Sequence, residues 1–283
     1  MYKIQKHSLY KATTKLSTIW FTLTLTLTSA LASFNLQAAG TFNAKTCDKV
    51  FTETKANQAC HLALKGDPKA SYSMARIFGD AKNSAIMNMD YAYFWHLKLA
   101  RQILKQNLTE PAYIDILYNA GVLYNDGLGT PKNFKKAFYW FKQAASRGHA
   151  LAMVRLVLAY QNGQGTSKDE TKALEWLQKA VNLNNPEAQV LMAKKVMQGS
   201  DKKTELDKGI KLLKSAAKQN SAQANFILGN YYLRPQNGQQ PPQLNQAKNY
   251  YGNSCKLNLL IGCKRYYDLD NLAQKPTTPF PQK

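Results

Sequence analysis

Two serine–lysine pairs have the spacing at which a lysine can activate a serine nucleophile. Both have the form S-x-x-K, from Ser200 to Lys203 and from Ser215 to Lys218. One helical turn would bring each pair together, as in penicillin-recognising hydrolases, which also require S-D-N and K-T-G elements. Neither of those elements occurs in the sequence. The sequence therefore lacks the elements that would make either pair a serine active site of this class.

Histidines, which could act as acid–base groups or metal ligands, are isolated from one another. His61, His96 and His149 stand singly, and His7 lies near the N-terminus. No paired carboxylates, Cys-x-x-Cys pair or phosphate-binding glycine loop accompanies them. We therefore predict that the protein is not an enzyme and that it has no catalytic site, no metal site and no cofactor.

Four cysteines form two pairs of sequence neighbours, Cys47 with Cys60 and Cys255 with Cys263. An even number in an oxidising compartment indicates disulfides, although four cysteines allow three pairings. We favour the neighbour pairings, because each bond could join two adjacent helices at one end of the molecule. Zinc binding is the competing interpretation, but no histidine stands at ligand spacing.

The N-terminal segment predicts export. Four lysines lie within the first 15 residues and precede an apolar run over residues 16–32, a pattern typical of a secretory signal peptide. We predict that residues 1–32 are this signal peptide, with cleavage after Ala32 or near Ala38, and that residues 33–44 are a linker. An uncleaved membrane helix is the alternative, but the run is short and rich in threonine. The mature protein would be periplasmic or secreted, with no transmembrane segment.

The elements that would position any site repeat along the chain. Between residues 120 and 220, Tyr124 recurs as Tyr160 and Trp140 recurs as Trp176, in each case 36 residues later. Self-similarity at a fixed period of this length indicates a solenoid built from stacked supersecondary units. Each unit would contain two helices, A and B, joined by a glycine-rich turn.

Helix ends recur at fixed positions of the repeat. Residues that tolerate left-handed backbone mark the end of helix B: Gly66, Gly148, Asn184, Asn220 and Asn258. Asp67 and Asn185 each precede a proline and should cap the next helix A. The S-x-x-E string from Ser167 to Glu170 has the form of a capping box that opens a helix B.

The blocks Ala120–Gly129 and Lys136–Ala145 resemble the Sel1-like repeat, a relative of the tetratricopeptide repeat, as does the segment Ala159–Ala180. The resemblance covers roughly residues 60–270. It implies an all-α fold, a right-handed α-solenoid of about five to six helix–turn–helix repeats over residues 45–273, used mostly as an adaptor. We expect residues 274–283, which contain three prolines, to form a disordered tail.

Cys255 and Cys263 add a looser resemblance. Their C-x7-C spacing is similar to that of the disulfide-linked repeats in secreted cysteine-rich Sel1-like proteins. Some members of that group have been called β-lactamases, so a weak β-lactamase-like hydrolase remains an alternative function.

Analogy with tetratricopeptide arrays predicts a binding groove on the concave face, lined by two columns of helix A residues. These are Tyr118, Val154, Val190 and Phe226, and, four residues later, Val122, Leu158, Lys194 and Asn230. The alternative is that these side chains pack against the neighbouring helix.

Two functions follow from these patterns. The leading hypothesis is an exported scaffold or adaptor that binds an envelope protein or peptide in the groove. The formal net charge is +21, and removal of residues 1–32, which carry four lysines and no acid, leaves 21 − 4 = +17. This charge supports a second hypothesis, an envelope polysaccharide or peptidoglycan binder that uses a basic surface. We do not expect a nucleic-acid partner, because export would separate the protein from the nucleic acid of the cell.

Overall fold

The computed structural model describes residues 42–79, 88–198, 202–234 and 242–274. The predicted signal peptide lies outside these ranges, as does the predicted tail apart from its first residue. The described residues form thirteen helices and no strand. The helices are α1 Ala44–Val50, α2 Thr54–Lys65, α3 Pro68–Gly79, α4 Met89–Gln106, α5 Pro111–Asp126, α6 Phe134–Ala145, α7 Ala150–Asn162, α8 Glu170–Asn182, α9 Pro186–Met197, α10 Lys203–Lys218, α11 Ala222–Leu233, α12 Leu244–Lys256 and α13 Leu260–Gln274.

The helices pack in five consecutive pairs, α3–α4, α5–α6, α7–α8, α9–α10 and α11–α12. We call the first member of each pair an A helix and the second a B helix. Each B helix also packs against the A helix of the next pair, so the pairs form one continuous stack. Helices α1 and α2 precede the stack, and α13 follows it as a final A helix. The chain is therefore an all-α solenoid, as predicted.

The predicted ends of α2 and of four B helices are confirmed. Gly66, Gly148, Asn184, Asn220 and Asn258 all have positive φ angles. The predicted caps of two A helices are also confirmed: Asp67 Oδ1 accepts a hydrogen bond from the Ala70 N–H (2.7 Å) and Asn185 Oδ1 accepts one from the Ala188 N–H (2.9 Å). Each cap satisfies a backbone donor that has no partner within its own helix.

The predicted capping box at Ser167 is wrong. Helix α8 begins two residues later than that box requires, and its cap is Asp169, whose Oδ1 accepts from the Lys172 N–H (2.9 Å). The turn fixes this start, because the Asp169 N–H donates to the carbonyl of Tyr160 on the A helix (3.0 Å). One repeat earlier, the cap Asn133 donates to the carbonyl of Tyr124 in the same way (2.8 Å).

Glycines in the turns allow successive repeats to approach closely. Gly129 and Gly165 have φ angles of +66° and +77°, a region that favours glycine. The turn containing Gly165 lies directly on the first residue of α6, so a methyl group there would overlap the carbonyl group of Phe134. Gly129 makes the corresponding approach to Met89 at the start of α4.

Aromatic side chains close the N-terminal end of the stack. Phe42 is 4% exposed, and its ring packs edge-on against Phe78, Tyr91 and Trp95. Residues 33–44 were predicted to be a linker, but α1 begins at Ala44 and Phe42 lies in the core. The described end of that segment is therefore packed, because its phenylalanine covers apolar surface at α3 and α4 that would otherwise face water.

Candidate functional site

The structure corrects the predicted groove at two positions. Val154 and Val190 are each 1% exposed and belong to the core. Packing between successive repeats covers their side chains, so neither can contact a partner. The alternative interpretation, packing against neighbouring helices, is the right one for these two residues.

The other predicted groove residues keep some exposure. Lys194 is exposed, and the rest are half-buried: Tyr118, Val122, Leu158, Phe226 and Asn230. Val122, Leu158 and Lys194 lie on the successive A helices α5, α7 and α9, at the same position of the repeat. We call the surface that these three residues share with Asn230 the A-helix surface.

Tyr118 is held by contacts within its own repeat. Its ring stacks on His149, with ring centroids 4.5 Å apart and planes 14° from parallel. His149 Nδ1 accepts from the Ala152 N–H (3.1 Å) and Nε2 lies 3.2 Å from Asp115 Oδ1. Because Nδ1 is an acceptor, a neutral ring carries its proton on Nε2, the nitrogen that faces Asp115. His149 is thus the cap of α7, and its ring stacks on that of Tyr118.

Phe226 and Asn230 support the packing of α11 on α12. The Tyr251 hydroxyl donates to Asn230 Oδ1 (2.8 Å), and the rings of Phe226 and Tyr251 lie 5.8 Å apart. Tyr251 itself is fully buried. Substituting Phe226 or Asn230 would therefore disturb folding as well as any binding, whereas Val122, Leu158 and Lys194 are better probes of the surface.

Ser215, the better placed of the two candidate nucleophiles, belongs to a polar cluster. Its Oγ accepts from Gln189 Nε2 (3.0 Å) and lies 3.4 Å from Asn184 Oδ1. Its hydrogen-bond partners are thus amide side chains, which do not act as a general base. Ser200 lies outside the described residues.

Potential metal-ligating side chains are dispersed in the described ranges. Within them, no cluster of three or more His, Cys, Asp or Glu side chains could hold a metal ion. The same residues include no helix that is both long and apolar enough to cross a membrane.

Both expected disulfides are present. Cys47 bonds to Cys60, which joins α1 to α2, and Cys255 bonds to Cys263, which joins α12 to α13. Each bond joins a terminal helix to its neighbour in the chain, and no cysteine in the described chain is free.

A stack of helix pairs with glycine-rich turns and partly exposed A helices defines an α-solenoid of repeats. The Sel1 repeat family model matches four consecutive segments, residues 116–149, 150–185, 186–221 and 222–259. These segments make up just over half of the sequence, and the chain therefore belongs to the Sel1 repeat family. Proteins of this family generally act as scaffolds for protein–protein interaction and are typically not enzymes. The pair α3–α4 precedes the matched segments but packs as the later pairs do.

The fold is similar to that of a solved Sel1 repeat protein. A Sel1 repeat protein from Oxalobacter formigenes is 21% identical, with a TM-score of 0.60 over 76% of this chain and 59% of that one. A protective antigen with an SLR fold, c5321, present in uropathogenic Escherichia coli strains, is 18% identical, with a TM-score of 0.48 over 75% of this chain and 51% of that one. This chain thus spans between half and three-fifths of the length of these two proteins. A comparison with curated proteins found no match.

Proposed function

We propose that the protein is an exported scaffold that binds a protein or peptide partner on its A-helix surface. The observation that carries the proposal is the alignment of Val122, Leu158 and Lys194 on three successive A helices, each with exposed side-chain area. An extended partner could contact the same position of several repeats in turn, and solenoids bind partners through such extended surfaces.

A small cleft beside Leu158 supports binding at this surface. It has a volume of about 70 Å³, and Phe134, Phe138, Arg155 and Leu158 are among its lining residues. The charge of Arg155 interacts with Tyr118, Glu187 and Asp126. The cleft therefore combines apolar walls with a fixed positive charge, a combination that suits recognition of a side chain with a polar end.

Export is supported by the two disulfides together with the N-terminal sequence. Disulfides persist in oxidising compartments and are rare in a reducing cytosol. N-terminal sequencing of the protein recovered from cell fractions tests this part of the proposal. A chain that begins at residue 33, or near residue 39, in the periplasmic fraction is expected; an intact N-terminus in the cytosol would refute export.

Site-specific photo-crosslinking in cells tests the binding surface. A photoreactive residue placed at Val122, Leu158 or Lys194 should form a covalent adduct with one discrete partner protein. The control is the same residue at Tyr139, which is 48% exposed and lies on the B helix α6. Equal crosslinking at Tyr139 and at the A-helix positions would contradict the proposal.

A second candidate function is the binding of an anionic envelope polymer, such as peptidoglycan, to the B helices. Helix α6 contains three lysines and no acidic residue, and exposed Lys135 and Lys142 stand seven residues apart on one face of it. Exposed Lys211 and Lys218 have the same spacing on α10. None of these four lysines has an ion-pair partner within the described part of the chain.

Retention on purified cell-wall sacculi distinguishes this candidate from the first. Replacing Lys135, Lys142, Lys211 and Lys218 with glutamine should abolish retention. High salt should also abolish it, because exposed charges are screened at high ionic strength. Retention that survives both the substitutions and salt would rule out this electrostatic mode.

A further inference from the structure

One repeat contains a cleft beside a half-buried tryptophan. The cleft has a volume of about 510 Å³ and lies where the end of α6, the start of α7 and the end of α8 meet. Trp176 is only half-buried there, whereas Trp95 and Trp140 are 0% and 6% exposed. The principal lining residues are Ala145, Gly148, Met153, Trp176, Lys179 and Leu183.

Hydrogen-bonded polar side chains occupy the equivalent position of the next repeat. Residues 36 positions later than Gly148, Met153, Lys179 and Leu183 are Asn184, Gln189, Ser215 and Gln219. These four polar side chains bond to one another: Gln189 Nε2 donates to Asn184 Oδ1 (2.5 Å) and Ser215 Oγ (3.0 Å), and Gln219 Nε2 donates to Gln189 Oε1 (3.2 Å).

Side-chain chemistry explains why the first position stays open. Glycine, methionine and leucine at 148, 153 and 183 supply no side-chain hydrogen-bonding group to such a network. Leu183 instead projects with 51% exposure and Met153 forms part of the apolar wall. Covering open apolar surface of this kind with a partner is favourable, because it removes that surface from water.

The charge that lines the cleft is positive. Lys179 Nζ lies 4.3 Å from the centroid of the Trp176 ring, a cation–π contact. No acidic residue lines the cleft, and Lys179 forms no ion pair with a carboxylate in the described ranges. A carboxylate at the rim could therefore pair with Lys179 without displacing an internal partner.

We propose that this cleft receives an aromatic side chain of a protein partner and that a carboxylate next to that side chain pairs with Lys179. The inference rests on the proposed protein-binding function but adds a second contact, separate from the A-helix surface. The volume lies within the range of about 300–1,000 Å³ that is common for ligand pockets. Aromatic anchors in such pockets dominate many interfaces.

Titration with short peptides, followed by NMR, tests the proposal on the full mature chain. The probe is acetyl-Gly-Glu-Phe-Glu-Gly-amide; one comparison peptide has alanine in place of phenylalanine and another has lysines in place of the glutamates. With the probe we expect saturable shifts of the Trp176 indole N–H and of the Met153 and Leu183 methyl groups. Each comparison peptide should bind at least about tenfold more weakly.

Substitutions taken from the next repeat supply the decisive variants. Met153→Gln with Leu183→Gln should begin to close the cleft as Gln189 and Gln219 close its counterpart, and should weaken probe binding about tenfold or more. Lys179→Ser should remove the preference for the acidic peptide. Leu244→Gln, at a leucine that is 55% exposed and distant in sequence, is the matched control and should bind as the wild type does.

Two results would overturn the proposal. One is an equal response of the Trp176 signal to the alanine peptide, which would mean that no aromatic anchor is used. The other is a set of probe-induced shifts at Val122 and Leu158 with none at Trp176. That result would place binding on the A-helix surface and leave the proposed function standing.

Discussion

The substitution Gly165→Ala should destabilise the protein far more than an alanine at another glycine with the same backbone conformation. Gly165 has φ +77°, and an added Cβ would lie 2.5 Å from the carbonyl carbon of Phe134 and closer still to its oxygen. Carbon atoms in favourable contact stand about 3.5 Å apart or more, so the turn would have to move by about 1 Å. Both groups are backbone, and no side chain can rotate away.

The expected magnitude has two parts. Placing alanine in the left-handed region costs about 1 kcal/mol, and forced overpacking typically adds about 1–3 kcal/mol. Gly148 has φ +90° with nothing within 4 Å of an added Cβ, so Gly148→Ala should cost only the first part. Urea unfolding followed by circular dichroism should therefore separate the two variants by about 2 kcal/mol. Equal losses of stability would refute the claim that the turn of one repeat packs tightly on the helix of the previous one.

Three further predictions concern a buried histidine, a helix cap and a disulfide. Burial lowers the pKa of His96, so the native state resists its protonation, whereas the unfolded state accepts a proton below about pH 6.5. The free energy of unfolding should therefore fall with decreasing pH, by up to about 1.4 kcal/mol per pH unit. The variant His96→Leu should reduce this slope. Asp169→Ala should lower the urea midpoint because α8 loses its cap, whereas Ser167→Ala should leave the midpoint unchanged. A lower midpoint for Ser167→Ala and an unchanged one for Asp169→Ala would instead support Ser167 as the cap of α8. Replacing Cys47 and Cys60 with serine should cost about 2–3 kcal/mol, because a bond across 13 residues of sequence constrains the unfolded chain, and unchanged thermal unfolding would show that α1 contributes no stability.

Much of the backbone could be predicted from short stretches of sequence. Asn184 and Asn220 adopt the left-handed conformation expected of them, and Asp67 and Asn185 cap the helices that follow. These features depend on a few adjacent residues, and the sequence shows all of them. The cap of α8 also follows the repeat, because Asn133, the cap of α6, lies 36 residues before Asp169.

The candidate binding surfaces were predicted less well, because exposure depends on neighbours that are distant in sequence. Val154 and Leu158 lie on the same helix, four residues apart, yet Val154 is buried and Leu158 is half-exposed. Because the two residues are four positions apart, their side chains lie on the same face of α7. The packing of adjacent repeats nevertheless covers only one of them.

The sequence by itself predicted an all-α solenoid, the left-handed residues that end five of its helices, and a preference for pairing neighbouring cysteines. Hydrophobic periodicity, left-handed residues and caps act locally, so they can be recognised without coordinates. Only the tertiary structure decided which surfaces remain open. Trp140 and Trp176 occupy the same position of successive repeats, yet Trp140 is buried, whereas Trp176 is half-buried and lines a cleft. The difference arises from the side chains that surround each tryptophan, which stacking brings together from three separate helices.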